Sequence, residues 1–136
     1  MSKIVVGYDA SDCARAALAT AIDVARAFGD QVHVVMAFEI NRLGGEVADF
    51  AAALGERARR IEHLALDQAA GLGAQIETEI VEERTADAIV EVADRLDARM
   101  IVVGTRGESP LRGALVGSTP HKLLQVAERP VLVVSA

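Results

Sequence analysis

Apolar positions along the chain alternate between two patterns. Short β-branched runs at Ile4–Tyr8, Val32–Phe38, Gln75–Val81, Met100–Gly104 and Val131–Ser135 are separated by longer stretches in which apolar residues recur every three or four positions. Ala14, Leu18, Ile22, Ala25 and Phe28 make one such stripe; Leu54, Ala58, Ile61, Ala65, Ala69 and Leu72 make a second. That spacing predicts amphipathic helices with these residues turned toward a core. Ile89, Val92 or Ala93, and Leu96 repeat it, and Leu123, Leu124 and Ala127 supply a shorter fourth helix. The predicted order is β-α-β-α-β-α-β-α-β.

Boundary residues agree with this reading. Ser11 and Thr85 are good N-caps, Gly29 and Gly71 or Gly73 suit helix C-termini, and Pro120 fits a first helical turn. The first and fourth strands read almost wholly apolar, as parallel strands covered on both faces do. Such alternation predicts an open, doubly wound α/β sheet with right-handed crossovers and helices on both faces. Ligands bind such sheets beyond the carboxyl ends of the strands, where the strand order reverses. Function is therefore expected at the ends of strands one, two and four. Residues 39–55, with Gly44 and Gly45, break the periodicity and suggest a surface connection or a flap over that end.

The chain has 136 residues, which predicts one domain spanning 1–136. Only 3% of residues are aromatic, so stacking platforms for single-stranded nucleic acid are lacking, and the net charge of −6 also disfavours nucleic acid as a partner. The charge is unevenly distributed. From Gly104 onward there are 4 Lys and Arg against 2 Asp and Glu, whereas the preceding residues hold 10 against 18. An anionic ligand is thus expected near the C-terminal quarter. Cys13 is the single cysteine and needs no oxidising compartment; it reads as a small, covered helix residue. The N-terminus resembles no signal peptide and no apolar run approaches the ~20 residues of a membrane span, so a cytoplasmic protein without membrane contact is expected.

The strongest chemical signal follows strand four: Gly104–Thr105–Arg106–Gly107, nine residues, then Gly117–Ser118–Thr119–Pro120 opening a helix. Glycines allow positive φ and close approach of backbone amides, and a helix N-terminus offers free N–H groups to phosphate. The alternative is a glycine-rich connection before an ordinary helix. Asp9, directly after strand one, is placed to accept from ribose hydroxyls, to help hold a metal, or only to favour the next helix N-terminus. The backbone near Val34 in strand two could meet an adenine edge. His33, His63 and His121 form no ligand pattern, so no metal site is expected, and His33 reads as a hydrogen-bonded residue of its strand. Ser118, His121 and Asp9 can be drawn as a hydrolytic triad, but no Gly-x-Ser-x-Gly elbow accompanies them. The Walker and Rossmann glycine patterns are absent. Glu56–Arg60 reads as a solvated helix face.

On this topology the sequence resembles the universal stress protein family, in its nucleotide-binding branch, over its whole length. The resemblance rests on Ile4–Ser11, Met100–Gly107, the nine-residue spacer, Gly117–Ser118 and Arg129–Val134. It implies a five-stranded parallel sheet in the order 3-2-1-4-5, of the adenine nucleotide alpha hydrolase-like type, binding ATP or AMP between strands one and four. Mg2+ would accompany ATP. It further implies Asp9 on the ribose, Val34 on the adenine, Gly104, Gly107, Gly117 and Ser118 around the phosphates, and Thr119 beside them. The chain departs from the family pattern at Ala10, where glycine is usual, at Glu83–Ala86 in place of a Gly-x-Pro-Ala approach, and at Arg99 in place of an aspartate. Thr119–Pro120–His121 also replaces a polar run. The implied function is a regulatory binding module of the stress response. The rivals are slow ATP hydrolysis, with no general base evident beyond Glu108, and an interaction module that binds no nucleotide. Strand five, Val131–Ser135, would be an uncharged edge and is expected to pair with its counterpart in a homodimer.

Overall fold

The computed structural model describes residues 1–39, 47–107 and 117–136. Its strands are β1 (Lys3–Gly7), β2 (Gln31–Phe38), β3 (Ile76–Glu82), β4 (Met100–Gly104) and β5 (Val131–Val134). They alternate with α1 (Asp12–Phe28), α2 (Val47–Gly71), α3 (Thr85–Arg95) and α4 (Ser118–Val126). The strands form one sheet in the order β3-β2-β1-β4-β5, with every pairing parallel. The expected fold class and strand order are therefore both observed.

The continuous apolar strands divide by alternation between two cores. Ile4, Val6, Val34, Met36 and Val102 face α1 and the buried alanines Ala65 and Ala69 of α2. Val5, Val35, Ile101 and Val103 face α3 and Leu123 of α4. Because each strand is covered on both sides, its period of two vanishes from the hydropathy pattern.

Most caps fall where expected. Ser11 caps α1, its hydroxyl accepting from the Ala14 N–H at 3.2 Å, and Gly29 ends the helix at φ +72. Gly73 is also left-handed, at φ +68. Thr85 is not a cap. Arg84 holds that position in extended backbone, its carbonyl accepts from the Ala88 N–H at 2.9 Å, and Thr85 becomes the first helical residue.

Other differences concern lengths and faces. Residues 47–55, expected to be irregular, are the first turns of α2, and 40–46 lie outside the described residues. Leu123 is buried while Leu124 is 60% exposed, since adjacent helical residues stand ~100° apart and cannot both face one core. Phe28 is 54% exposed; the Arg99 guanidinium lies 4.3 Å from its ring centroid. Arg99 also pairs with Asp30 at 2.5 Å, and its hydrogen bond holds the Asp30 carboxyl below the usual carboxylate range. No described helix is long and apolar enough to cross a membrane.

Candidate functional site

Val6 of β1 pairs with Val102 of β4, so the carboxyl ends of these strands lie side by side. From β1 the chain crosses through α1 to β2; from β4 it crosses through α4 to β5 on the other side. The diverging connections open a crevice of about 350 Å³.

One wall is the turn after β1, with Gly7, Tyr8, Asp9 and Ser11. The opposite wall is Gly104, Arg106 and Gly107 after β4, and Gly117–Pro120 at the start of α4. Ala37, Thr85, Ile89 and Val103 form a largely apolar end. The described lining therefore carries one carboxylate, Asp9, and one guanidinium, Arg106.

Asp9 is held by its own turn. Its Oδ1 accepts from the Ser11 N–H at 3.0 Å, and the intervening Ala10 is left-handed at φ +65. That is a region that costs an L-residue roughly 1 kcal/mol or more, which gives the departure from glycine at this position a physical cost. Asp9 faces the other wall. A Cβ placed on Gly107 would lie 2.5 Å from Asp9 Oδ2.

The cradle glycines serve space. A Cβ on Gly104 would stand 2.6 Å from Cys13 Cβ and 2.7 Å from the Cys13 carbonyl carbon, so Gly104 lets the start of α1 rest directly on β4. Gly117 caps α4 at φ −69 and ψ 176, extended backbone open to any residue, and its Cβ would meet Thr105 O at 3.3 Å. Gly117 therefore does not use the positive φ that a glycine allows. Its N–H donates to the Thr105 carbonyl at 2.6 Å, drawing the first turn of α4 onto the β4 turn. The spacer residues 108–116, Glu108 among them, lie outside the described residues.

Asp9, Gly104, Gly107, Gly117, Ser118 and Thr119 are brought together in the crevice; Val34 is not. Val34 sits in mid-strand, fully buried in the core beneath α1 and α2, because β2 continues to Phe38. Ala37 is the β2 residue that reaches the crevice. Arg106 was within the glycine motif and Thr85 in a helix-start signal, yet neither could be assigned to the crevice before its walls were known. His121 is exposed and lines no part of it, so the drawn triad does not assemble there. His33 is buried on β2, with Nε2 at 2.9 Å from Glu79 Oε1. Behind Gly104, Cys13 Sγ lies 3.4 Å from the Thr105 hydroxyl, whose hydrogen bond lowers the thiol pKa. Burial raises that of the Tyr8 phenol.

Sheet order and crevice together define a doubly wound α/β protein with an open crevice at the topological switch point, where folds of this class bind their ligands. Comparison with known proteins narrows this class. The universal stress protein family model matches residues 1–135, and the chain belongs to that family. A universal stress protein of Thermus aquaticus is 35% identical, with 96% of each chain covered. A universal stress protein solved in complex with cAMP superposes with a TM-score of 0.76 at 30% identity, covering 98% of this chain and 96% of that one. The universal stress protein of Archaeoglobus fulgidus in complex with dAMP gives a TM-score of 0.75 at 27% identity, with 98% of each chain covered.

Proposed function

We propose that this chain binds an adenine nucleotide, ATP or AMP, in the crevice between β1 and β4, and acts as a regulatory binding module in a stress response. The observation that carries this reading is the convergence of Asp9, Gly107 and the first turn of α4 on one crevice. The cAMP and dAMP complexes of its structural relatives support it.

In this reading Asp9 accepts from the ribose hydroxyls. The N–H groups of Ser118 and Thr119, free of intrahelical partners in the first turn, donate to phosphate together with both hydroxyls. Gly104, Gly107 and Gly117 keep side chains out of the phosphate path. The base lies against Ile89 and Val103 near Ala37, in place of the expected contact at Val34. Mg2+ would enter with ATP, as its phosphate-bound counterion. Release of nucleotide from freshly purified protein by heat, followed by mass analysis, is expected to yield an adenine nucleotide. Finding none, together with no calorimetric binding of ATP or AMP at millimolar concentration, overturns the reading.

We propose further that a second copy of this chain pairs along β5. Its Val131–Val134 run pairs with β4 on one side only and carries no charge, and Leu132 is 37% exposed. Such an edge pairs readily with another strand. Sedimentation equilibrium is expected to give twice the 14.3 kDa of one chain; the single-chain mass at micromolar concentration overturns the dimer.

A further inference from the structure

Resting on the adenine-nucleotide reading, we infer that Thr85 reads the hydrogen-bonding edge of the base and sets a preference for adenine over guanine and hypoxanthine. Its polar groups are left free by the way α3 begins. In α1 the Ser11 hydroxyl is occupied as the cap, accepting from the Ala14 N–H. In α3 the cap position falls to Arg84, in extended backbone at φ −58 and ψ 139, and no side chain caps the helix. Thr85 is the first helical residue, one position too late for its hydroxyl to cap, and its N–H has no intrahelical acceptor. Among the described residues neither group has a partner. Thr85 stands where the family's Gly-x-Pro-Ala approach has proline, which offers neither a hydroxyl nor an N–H.

Thr85 and Ile89 are four apart in α3 and share one helix face. Ile89 is fully buried, and a Cβ on Gly7 would stand 2.5 Å from its Cδ1, so this face of α3 is pressed against the end of β1. One turn above, Thr85 is exposed and lines the crevice beside Ala37, Ile89 and Val103. The other polar side chains of the described lining stand elsewhere. Asp9 and Ser11 belong to the β1 turn, Arg106 to the β4 turn, and Ser118 and Thr119 to the start of α4, while Tyr8 turns its hydroxyl toward Gln68 of α2. With ribose at Asp9 and phosphate at α4, the base is the part of the nucleotide that meets Thr85.

A hydroxyl can donate or accept, whereas an N–H only donates. Adenine presents an amino donor at C6 beside the N1 acceptor; the Thr85 hydroxyl oxygen accepts from the first and the Thr85 N–H donates to the second. Guanine and hypoxanthine present a C6 carbonyl beside an N1–H. The hydroxyl can turn to donate to that carbonyl, but the fixed backbone N–H then confronts N1–H, donor against donor. Polar groups left unpaired in this way make a site reject a close analogue.

The test is calorimetric titration of the full chain with AMP and ATP and with their hypoxanthine and guanine counterparts, repeated on Thr85→Val and Thr85→Pro. The natural chain is expected to bind the adenine nucleotides at least about tenfold more tightly. Valine keeps the β-branched shape without the hydroxyl, and the adenine-to-hypoxanthine affinity ratio is expected to fall roughly three- to tenfold, the worth of one hydrogen bond. Proline removes both groups and is expected to lower the ratio further. It suits the first helical position and the extended Arg84 before it, so urea unfolding of this variant is expected to match that of the natural chain. A merely structural Thr85 would weaken every nucleotide equally. An unchanged ratio in either variant, or weaker discrimination than expected in the natural chain, therefore overturns the role of Thr85 and leaves the nucleotide reading intact. No binding of any of these nucleotides overturns both readings.

Discussion

The turns after β1 and β4 face each other across one crevice and are built on opposite principles. The β1 turn is made by side chains: Asp9 accepts from the Ser11 N–H, Ser11 caps α1, and Ala10 between them bears a left-handed φ of +65. The β4 turn is made by missing side chains, with Gly104 under the α1 backbone and Gly107 against the Asp9 carboxylate. Neither of these glycines needs a left-handed φ. One turn thus carries strain and aims a functional group, while the other supplies room for that group, for a helix and for a ligand. A substitution should act in opposite ways on the two sides.

The largest effect is expected at Gly104→Ala. Its new Cβ would overlap backbone atoms of Cys13, which cannot rotate away. A loss of about 3 kcal/mol is expected, the upper end of ordinary overpacking, read from urea unfolding. Gly107→Ala should instead spare the fold and harm the site, because the atom it meets is the movable end of Asp9. Nucleotide affinity is expected to fall about tenfold, with stability changed by less than about 1 kcal/mol, checked by calorimetry and unfolding of the same sample.

Ala10→Gly reverses the sign. Relief of the left-handed strain outweighs the added entropy of the unfolded chain, and a gain of about 0.5–1 kcal/mol is expected in the same unfolding assay. Gly117→Ala, at φ −69, is expected to cost about 0.5–1 kcal/mol, well below Gly104→Ala, because the backbone suits any residue and the cost comes only from the weaker alanine cap and a Cβ pressed to 3.3 Å from the Thr105 carbonyl oxygen. Equal losses at Gly104 and Gly117 would show that the glycine motif acts as a unit and would break the distinction drawn between conformation and space.

The opposite end of the sheet supplies a reference for both turns. There Arg99 depresses the Asp30 carboxyl, so the folded pKa lies below the unfolded one. The pair stabilises fully above the unfolded aspartate pKa of about 4, and the contribution is lost as pH falls through that value toward the lower folded one. Asp30→Asn is expected to flatten the acid limb of stability against pH in this window and to leave nucleotide affinity unchanged. An unaltered acid limb would remove the pair from the stability of this end.

Much of this architecture was legible because it rests on local rules. Ser11 and Gly29 bracket α1 through chemistry contained within a few residues, and the runs that become β1 and β4 read as doubly covered strands from apolar content alone. The misreadings have a common cause. Thr85 was as good a cap by composition as Ser11, but the backbone bond from Ala88 to Arg84 moved the boundary one residue upstream. Leu124 carries the same hydropathy as Leu123, and only the direction of α4 over the sheet decides which is buried.

The crevice divides along the same line. Its chemical groups were present in the sequence: a carboxylate after the first strand, glycines after the fourth, hydroxyls opening a helix. Their assembly follows from alternating periods of two and 3.6, since parallel strands joined by right-handed crossovers must place their carboxyl ends together. What each residue does there depends on distances between segments far apart in the chain. That Gly104 accommodates Cys13, that Gly107 lies against Asp9, that the Gly117 N–H is consumed by Thr105, and that Ala37 replaces Val34 at the crevice are relations between elements. Residue types and local spacing determined which groups this protein has and at which end of the sheet they stand. Only tertiary packing, which sets contacts to tenths of an ångström between segments that no local rule connects, decided which glycines make room and which amides remain free to bind.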